Sequence, residues 1–390
     1  MFDGRKLTTA AQWREERRPE LVRLFQHYMY GTTPPPPGNV RGEVRRSDPK
    51  ALDGKATLRE ITLTYGPAGA PPIEVLLLIP NRREGPVPAF VCLDFHGNHT
   101  VLADPGIALP RGWVPERGPG VKDNRATESG RGGGGNRWDL GTILDRGYAL
   151  AIFYHGDVDP DRPDFSDGIQ PFYYKEGQTR PGPHEWGTIA AWAWGVSRVV
   201  DHLVTVPEID PARIAVFGHS RNGKAALLAA ALDERIAAAF PNGAGCGGTS
   251  PSRGTVGESV SRINDHYPYW FNDTFHLFGD RVDRLPFDQH GLIALVAPRP
   301  VLLTNATGDT WANPKGQFEM LKAATPVYRL LGSDGMTAAA MPPEGTLIDS
   351  PLGFHIRPGG HDVKSEDWGA ILAFADRRLR SSKFQVPSSK

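Results

Sequence analysis

One segment of the 390-residue chain combines a hydroxyl nucleophile with a sharp turn and a helix. In RIAVFGHSRNGKAALLAAALDERI, an apolar stretch that predicts a strand leads to Ser220, and an Ala/Leu-rich stretch that predicts a helix follows it. A serine at such a bend exposes its hydroxyl at the positive end of the helix dipole. Gly218 and Gly223 let the strand and helix approach closely, although Asn222 breaks the plain G-x-S-x-G spacing. The segment predicts a nucleophilic Ser220, and the alternative is an ordinary helix N-cap serine.

A serine hydroxyl is a poor nucleophile until a base removes its proton, and in this kind of turn the base follows late in the chain. His361 lies in the Gly-rich segment RPGGHDVKSEDW, between an apparent last strand and a helix predicted near Ser365. His219 adjoins Ser220 and is expected to point elsewhere, and His355 is expected inside the preceding strand. We therefore predict His361 as the base.

The base in turn needs a carboxylate that orients its ring and stabilises its charged form. Asp309 lies in the loop ATGDTWANPKG, which follows the apolar stretch at 301–303. A turn-stabilising aspartate is the alternative interpretation. Asp362 competes for the role but adjoins His361 in sequence, which is a poor position for a bond to its ring. Asp309 is the predicted acid.

The elements that must position these residues alternate between strand-like and helix-like patterns. The strand-like stretches are AFVCLDF near 89, YALAIFY at 148, RIAVFGH at 213, IAAAFPNG at 236 and RPVLLTNA at 299. This alternation predicts a mostly parallel sheet covered on both faces, an α/β fold. Helical spacing of apolar residues also predicts an N-terminal helical extension over 1–38, which PPPPG ends.

Three irregular stretches interrupt this alternation within what we predict to be a single catalytic domain over 1–390. They are residues 103–137, rich in Gly, Pro and charge, and residues 157–187 and 249–290, which are aromatic and polar. Long loops in a compact domain usually serve function, so we expect these insertions to form the walls of a cleft.

The nucleophile segment resembles the signature of a known family. Residues 218–224 read GHSRNGK, similar to the G-C-S-R-x-G-K of the glucuronoyl esterases, carbohydrate esterase family 15, with His219 replacing the cysteine as in bacterial-type members. The resemblance continues through GNHTVLADPGIALPRGW, GNRWDLGTILDRGYALAIFYHGDVDPD, EWGTIAAWAWG, VGESVSRINDHYPYWF, GDTWANPKGQF and GGHD. It implies an α/β-hydrolase fold, with the sheet at the centre of a three-layer αβα sandwich.

The resemblance also implies the reaction and the residues that carry it. The expected substrate is the ester between (4-O-methyl-)glucuronic acid of glucuronoxylan and a lignin alcohol, cleaved through an acyl-enzyme. Ser220 and His361 match the family nucleophile and base, and Arg221 matches the oxyanion stabiliser, acting through its backbone N–H and side chain. Three further matches, which would contact the glucuronic acid ring, are Lys224, Glu258 and Trp311.

One position departs from the family. Many members place the triad acid in a pattern like S-x-E-S-G-x-G-G, and that slot here holds Gly243, in PNGAGCGG. Other bacterial members use an acid after the next strand, which corresponds to Asp309. Two alternatives therefore remain: another carbohydrate esterase such as an acetylxylan esterase, and a non-catalytic sugar-binding homologue.

The composition predicts neither a nucleic-acid nor a membrane partner. Lys plus Arg and Asp plus Glu both number 44, and the apolar runs are far shorter than the roughly 20 residues of a membrane span. Cys92 and Cys246 are too few for a disulfide framework, and Cys92 is expected to be a buried thiol. No calcium, zinc or phosphate-loop spacing is complete, so we expect no cofactor. The first residues lack the pattern of a secretory signal, whereas the family implies a secreted or periplasmic enzyme, and we expect a monomer.

Overall fold

A ten-stranded sheet organises the chain in the computed structural model, which describes residues 1, 3–254 and 256–380. Its strand order is β1-β2-β3-β7-β4-β8-β9-β10-β12-β11, and β5 and β6 form a separate hairpin. The strands are β1 (Arg41–Ala51), β2 (Ala56–Thr64), β3 (Ile73–Pro80), β4 (Val87–Asp94), β5 (Val121–Lys122), β6 (Arg125–Ala126), β7 (Ala149–Tyr154), β8 (Ile209–His219), β9 (Ala238–Asn242), β10 (Val301–Ala306), β11 (Leu347–Ile348) and β12 (Leu352–Arg357).

The centre of the sheet is parallel, as the sequence predicts. Strands β7, β4, β8, β9, β10 and β12 pair in parallel, and β1, β2, β3 and β11 add antiparallel pairs at the two edges. The five strand-like stretches of the sequence correspond to β4, β7, β8, β9 and β10. The α/β class with a mostly parallel sheet is confirmed.

Helices cover both faces of the sheet. They are α1 (Ala10–Gln12), α2 (Arg18–Phe25), α3 (Leu140–Asp145), α4 (Thr188–Leu203), α5 (Arg221–Leu232), α6 (Val260–His266), α7 (Asp273–His276), α8 (Gln289–Val296), α9 (Pro314–Leu330) and α10 (Ser365–Leu379). Strand β3 shows how the layers form, because its side chains alternate between two cores. Val75 and Leu77 join the core that contains residues of α4, α5, α8 and α9, whereas Leu76 and Leu78 join the core that contains residues of α3 and α10.

The N-terminal helical stretch packs onto the first of these cores. Helix α1 begins after Thr9, whose hydroxyl accepts from the Gln12 N–H, and π-helical turns at 13–17 and 26–30 continue it on either side of α2. Trp13 and Phe25 are buried. The stretch ends at Gly31, where φ is +83° and a Cβ would lie 2.0 Å from the Glu185 carbonyl oxygen, so only glycine fits.

Four adjacent parallel strands bring the predicted chemistry to one edge of the sheet. Ser220 follows β8, Gly243 follows β9, Asp309 lies just beyond β10, and His361 lies beyond β12. Because neighbouring parallel strands end at the same edge, residues far apart in sequence meet there. Within the described residues, no helix has the length and apolar character needed to cross a bilayer.

Candidate active site

Ser220 occupies a strained turn between β8 and α5. Its backbone has φ +57° and ψ −125°, an unfavourable region for a residue with a side chain. Its N–H donates to the Asn242 carbonyl oxygen at 2.8 Å, which ties the turn to β9. A Cβ at Gly218 would lie 2.1 Å from the Asn222 carbonyl oxygen, so glycine is required there. Among the described residues the Ser220 hydroxyl makes no capping bond to α5, which disfavours the N-cap interpretation.

A chain of hydrogen bonds runs from this serine to a buried carboxylate. His361 Nε2 lies 2.9 Å from Ser220 Oγ, and His361 Nδ1 lies 2.6 Å from Asp309 Oδ2. Asp309 is 5% exposed, and its other oxygen accepts from the Ala312 N–H at 3.2 Å. Asp362 instead pairs with Lys364 Nζ at 2.7 Å. The arrangement lets an imidazole take a proton from a hydroxyl while a carboxylate orients its ring.

The two neighbouring histidines are placed differently from His361. His355 lies in β12, as expected. The His219 ring packs against the His361 ring, with centroids 4.5 Å apart, and its Nδ1 lies 2.6 Å from Asn242 Oδ1. Burial, followed by the His361 charge, lowers the pKa of His219 to about 3, so this ring stays neutral. The expectation that His219 points elsewhere misses this contact with the predicted base.

Gly243 faces the histidine–carboxylate pair from the loop after β9. A Cβ at this position would lie 3.3 Å from both Asp309 Oδ2 and His361 Nδ1, and φ is +51°. The slot that holds an acid in the family pattern is therefore adjacent to the predicted base, and Asp309 occupies the space beside it.

Arg221, the first residue of α5, is held by a buried carboxylate that sequence reasoning missed. Its Nη1 pairs with Asp161 Oδ2, and its guanidinium lies 4.8 Å from the Trp270 ring centroid. Asp161 Oδ1 accepts from Tyr269 Oη at 2.9 Å and from Trp270 Nε1 at 2.8 Å. Burial alone would raise the pKa of Asp161, but the Arg221 charge and these hydrogen bonds hold it below its usual value.

This arrangement leaves Arg221 with hydrogen-bonding capacity for a developing anion. Its Nε is buried without a partner among the described residues. Its backbone N–H is in the first turn of α5, where no intrahelical acceptor exists. From the sequence, the insertion at 157–187 is expected only to form a wall of the cleft, and its aspartates at 157, 159, 161 and 164 are the signal that could have indicated a partner for Arg221.

The three predicted sugar-binding residues differ in exposure. Lys224 is 4% exposed, and its Nζ donates to the Ala244 and Cys246 carbonyl oxygens, each at 2.6 Å. Burial lowers the pKa of Lys224, and the Glu258 charge opposes this. Trp311 is 45% exposed, and the Glu258 N–H donates to the Trp311 carbonyl oxygen at 3.0 Å. The Glu258 charge acts on Lys224 and the Glu258 backbone bonds to Trp311, so the three residues are near one another on the side of the molecule where α5 begins.

Both cysteines, and His96 and His99, have structural surroundings. Cys92 and Cys246 are free and buried, and burial raises the pKa of the Cys246 thiol to about 12. Burial lowers the pKa of His96 to about 4 and also lowers the pKa of His99. In residues 1, 3–254 and 256–380, no group of three His, Cys, Asp or Glu side chains is placed to hold a metal ion.

Comparisons with known proteins agree on one family. A sequence model described as "Glucuronyl esterase, fungi" matches residues 138–332. The chain is 44% identical to a carbohydrate esterase of an unknown prokaryotic organism, over 97% of this chain and 88% of that one. It is 30% identical to a 4-O-methyl-glucuronoyl methylesterase of Hypocrea jecorina, over 86% of this chain and 62% of the relative.

Solved structures give the same picture. A structure of a promiscuous CE15 esterase from a marine bacterial metagenome superposes with a TM-score of 0.91 at 43% identity, covering 97% of this chain and 95% of the other. A glucuronoyl esterase from Solibacter usitatus gives a TM-score of 0.90 at 38% identity, covering 96% and 95% of the two chains.

Proposed function

Because this chain belongs to the glucuronoyl esterases, carbohydrate esterase family 15, we propose that it is a serine esterase in which Ser220, His361 and Asp309 are the catalytic triad. Its proposed substrate is the ester between (4-O-methyl-)glucuronic acid of glucuronoxylan and a lignin alcohol. The observation that carries the triad is the pair of hydrogen bonds at His361, 2.9 Å to the Ser220 hydroxyl and 2.6 Å to the Asp309 carboxylate.

The reaction proceeds in two steps on these groups. Ser220 Oγ attacks the C6 carbonyl carbon while His361 takes its proton, and the ester carbonyl oxygen becomes an oxyanion. The Arg221 backbone N–H and guanidinium donate to this oxyanion, with the dipole of α5 adding to the effect. The intermediate then expels the alcohol, which takes the proton from His361. Water, deprotonated by His361, cleaves the acyl-enzyme to glucuronic acid and free Ser220.

We assign the acyl portion of this substrate to the region formed by Lys224, Glu258 and Trp311. Lys224 can donate and Glu258 can accept hydrogen bonds with vicinal hydroxyls, and the accessible Trp311 indole can pack on the sugar ring. No cofactor enters either step. A polymeric substrate such as glucuronoxylan is consistent with a secreted or periplasmic enzyme. We propose this location, together with a monomeric state.

Replacing the nucleophile tests this proposal. Ser220→Ala should remove nearly all turnover of benzyl glucuronate, while calorimetric binding of glucuronate persists because Lys224, Glu258 and Trp311 remain. Assays of the wild-type enzyme on benzyl glucuronate, methyl galacturonate and acetylated xylan distinguish a glucuronoyl esterase from another carbohydrate esterase. Retention of more than a few per cent of wild-type turnover would exclude Ser220 as nucleophile, and an inactive wild-type enzyme that still binds glucuronate would indicate a sugar-binding homologue.

A further inference from the structure

A second cleft opens at the same edge of the sheet, outside the residues assigned above. Its volume is about 520 Å³, within the usual range of small-ligand pockets. Three segments line it: residues 71–74 at the start of β3, residues 111–125 of the first insertion, and residues 156–167 of the second.

The cleft is close to the nucleophile. It lies beyond the end of β7, and only β4 separates β7 from β8, so strand spacing of about 4.8 Å places it on the order of 10 Å from the end of β8. One short segment connects the two sites. His155 Nδ1 lies 2.7 Å from Asn222 Oδ1 on α5, and Asp161 pairs with Arg221, whereas Asp157 and Arg162 of the same segment line the cleft.

Trp113 provides a fixed aromatic surface in this cleft. Its side chain is partly exposed, and its carbonyl oxygen accepts from Tyr154 Oη at 2.9 Å. The Arg162 guanidinium lies 5.7 Å from the Trp113 ring centroid, and Asp164 and Asp167 hold Arg162 in turn. A positioned indole with an accessible face can pack on the apolar face of a sugar ring.

The polar groups around Trp113 favour a neutral ligand rich in hydroxyls. The guanidinium groups of the cleft belong to Arg111, Arg125 and Arg162, and its carboxyl groups belong to Glu74, Asp123, Asp157 and Asp167. Burial raises the pKa of Asp157 to about 8, so three positive charges face three negative charges at neutral pH. Such a lining offers many donors and acceptors with no net charge to select an ion.

We propose that this cleft is an accessory subsite for a neutral pyranose oligosaccharide, the xylose chain that bears the esterified glucuronic acid. Trp113 is its stacking surface, and Arg111 and Arg125 supply hydrogen bonds. The inference rests on the proposed function, because a xylose chain enters only if a glucuronoyl ester is bound at Ser220. Among possible occupants, an aromatic alcohol would leave the charged lining of the cleft unsatisfied.

The test compares two substrates that share the reacting ester. One is benzyl glucuronate, and the other is the benzyl ester of glucuronic acid carried on a xylooligosaccharide. Trp113→Ala should lower kcat/KM for the oligosaccharide ester about tenfold, equivalent to about 1.4 kcal/mol, and leave kcat/KM for benzyl glucuronate unchanged. Trp113→Phe should restore most of the loss. Arg111→Ala, at an exposed position, should likewise lower kcat/KM for the oligosaccharide ester relative to kcat/KM for benzyl glucuronate.

Controls separate the subsite from general effects. Phe172→Ala removes another exposed aromatic side chain, outside the cleft, and should change neither substrate. Equal losses on both substrates in Trp113→Ala, or no loss on either, would overturn the subsite. Equal losses on the two benzyl esters that are absent with methyl glucuronate would reassign the cleft to the leaving group. Failure of wild-type enzyme to cleave benzyl glucuronate would instead contradict the proposed function.

Discussion

At the residue scale, the pair formed by Arg221 and Asp161 connects one insertion to the reacting centre. The guanidinium would be free to rotate without a partner, and Asp161 holds it through Nη1 while Tyr269 and Trp270 hold Asp161. Donors fixed in advance stabilise an oxyanion more than mobile donors, because they need no reorganisation during the reaction. Asp161 is thus a positioning residue in our proposal, acting only through Arg221.

A double-mutant cycle tests this. Arg221→Ala should lower kcat about 100- to 1,000-fold with little change in KM, the usual effect of removing an oxyanion donor. Asp161→Asn should lower kcat about tenfold in the wild-type background and have no further effect in Arg221→Ala. Steady-state kinetics of the four proteins, with Tm as the readout of folding, measures the coupling. Additive losses in kcat would show that Asp161 acts independently of Arg221, and a raised KM alone would make Arg221 a substrate clamp.

At the scale of elements, the loops after β9 and β10 compete for one position beside His361. Asp309 reaches the imidazole from the β10 loop, and the Gly243 backbone stands within side-chain reach from the β9 loop. We therefore expect that the acid of the proposed triad can come from either loop without moving the base. The glycine is compatible with Asp309, because a side chain at 243 would crowd the Asp309 carboxylate.

We accordingly predict that mutation can move the proposed acid from one loop to the other. Asp309→Asn should lower kcat at least about 100-fold, since the amide presents the wrong hydrogen-bonding group to His361 Nδ1. Asp309→Ala should lose as much but also clear space beside Gly243, and adding Gly243→Glu should then recover part of the rate. Recovery should be incomplete, because φ of +51° strains any residue but glycine.

Measuring kcat on benzyl glucuronate shows whether a carboxylate from the β9 loop can replace the one from the β10 loop. Gly243→Ala in the Asp309→Ala background is the control for backbone strain. Near-normal activity in Asp309→Asn would mean that another group orients the base. In that case Asp309 would have to be withdrawn from the triad.

At the scale of the whole molecule, the second insertion introduces buried carboxyl groups whose ionisation opposes folding. Asp159 is almost fully buried, and its Oδ2 accepts from Gln170 Nε2 at 3.2 Å. Burial raises its pKa from 3.8 to about 8, and Asp157 is shifted to a similar value. Between pH 3.8 and about 8 the native state binds more protons than the unfolded state, so the free energy of unfolding falls as the pH rises across this range.

Asp159→Asn should remove one of these two contributions. The amide resembles the protonated carboxyl group in shape and does not titrate. The Tm of the variant minus the Tm of the wild type should therefore increase from pH 4 to 8. Above pH 8 the difference should stay constant. Thermal melts across this range measure the effect, and Asp265→Asn, at an exposed position, serves as the matched control. A difference independent of pH would show that Asp159 is ionised throughout.

The sequence by itself determined the parallel strands of the sheet and most of the predicted triad. Periodicity and turn residues are local signals, so β4, β7, β8, β9 and β10 were readable, and the strand-to-helix turn marked Ser220. The positions of His361 and Asp309 after strands made them candidates, and the family resemblance supported the choice of base. The predicted stretches do not include the antiparallel strands β1, β2, β3 and β11, whose places in the sheet depend on pairing with distant segments.

Only the tertiary structure decided which distant residues meet. Asp161 lies 60 residues from Arg221 in the chain, and no spacing rule indicates their contact. The adjacency of β8, β9, β10 and β12 likewise accounts for three further contacts. These are the packing of His219 on His361, the burial of Lys224 against two carbonyl oxygens and the position of Gly243 beside Asp309. A single sequence records the local preferences of each segment, whereas contacts between segments depend on how the packed sheet brings their ends together.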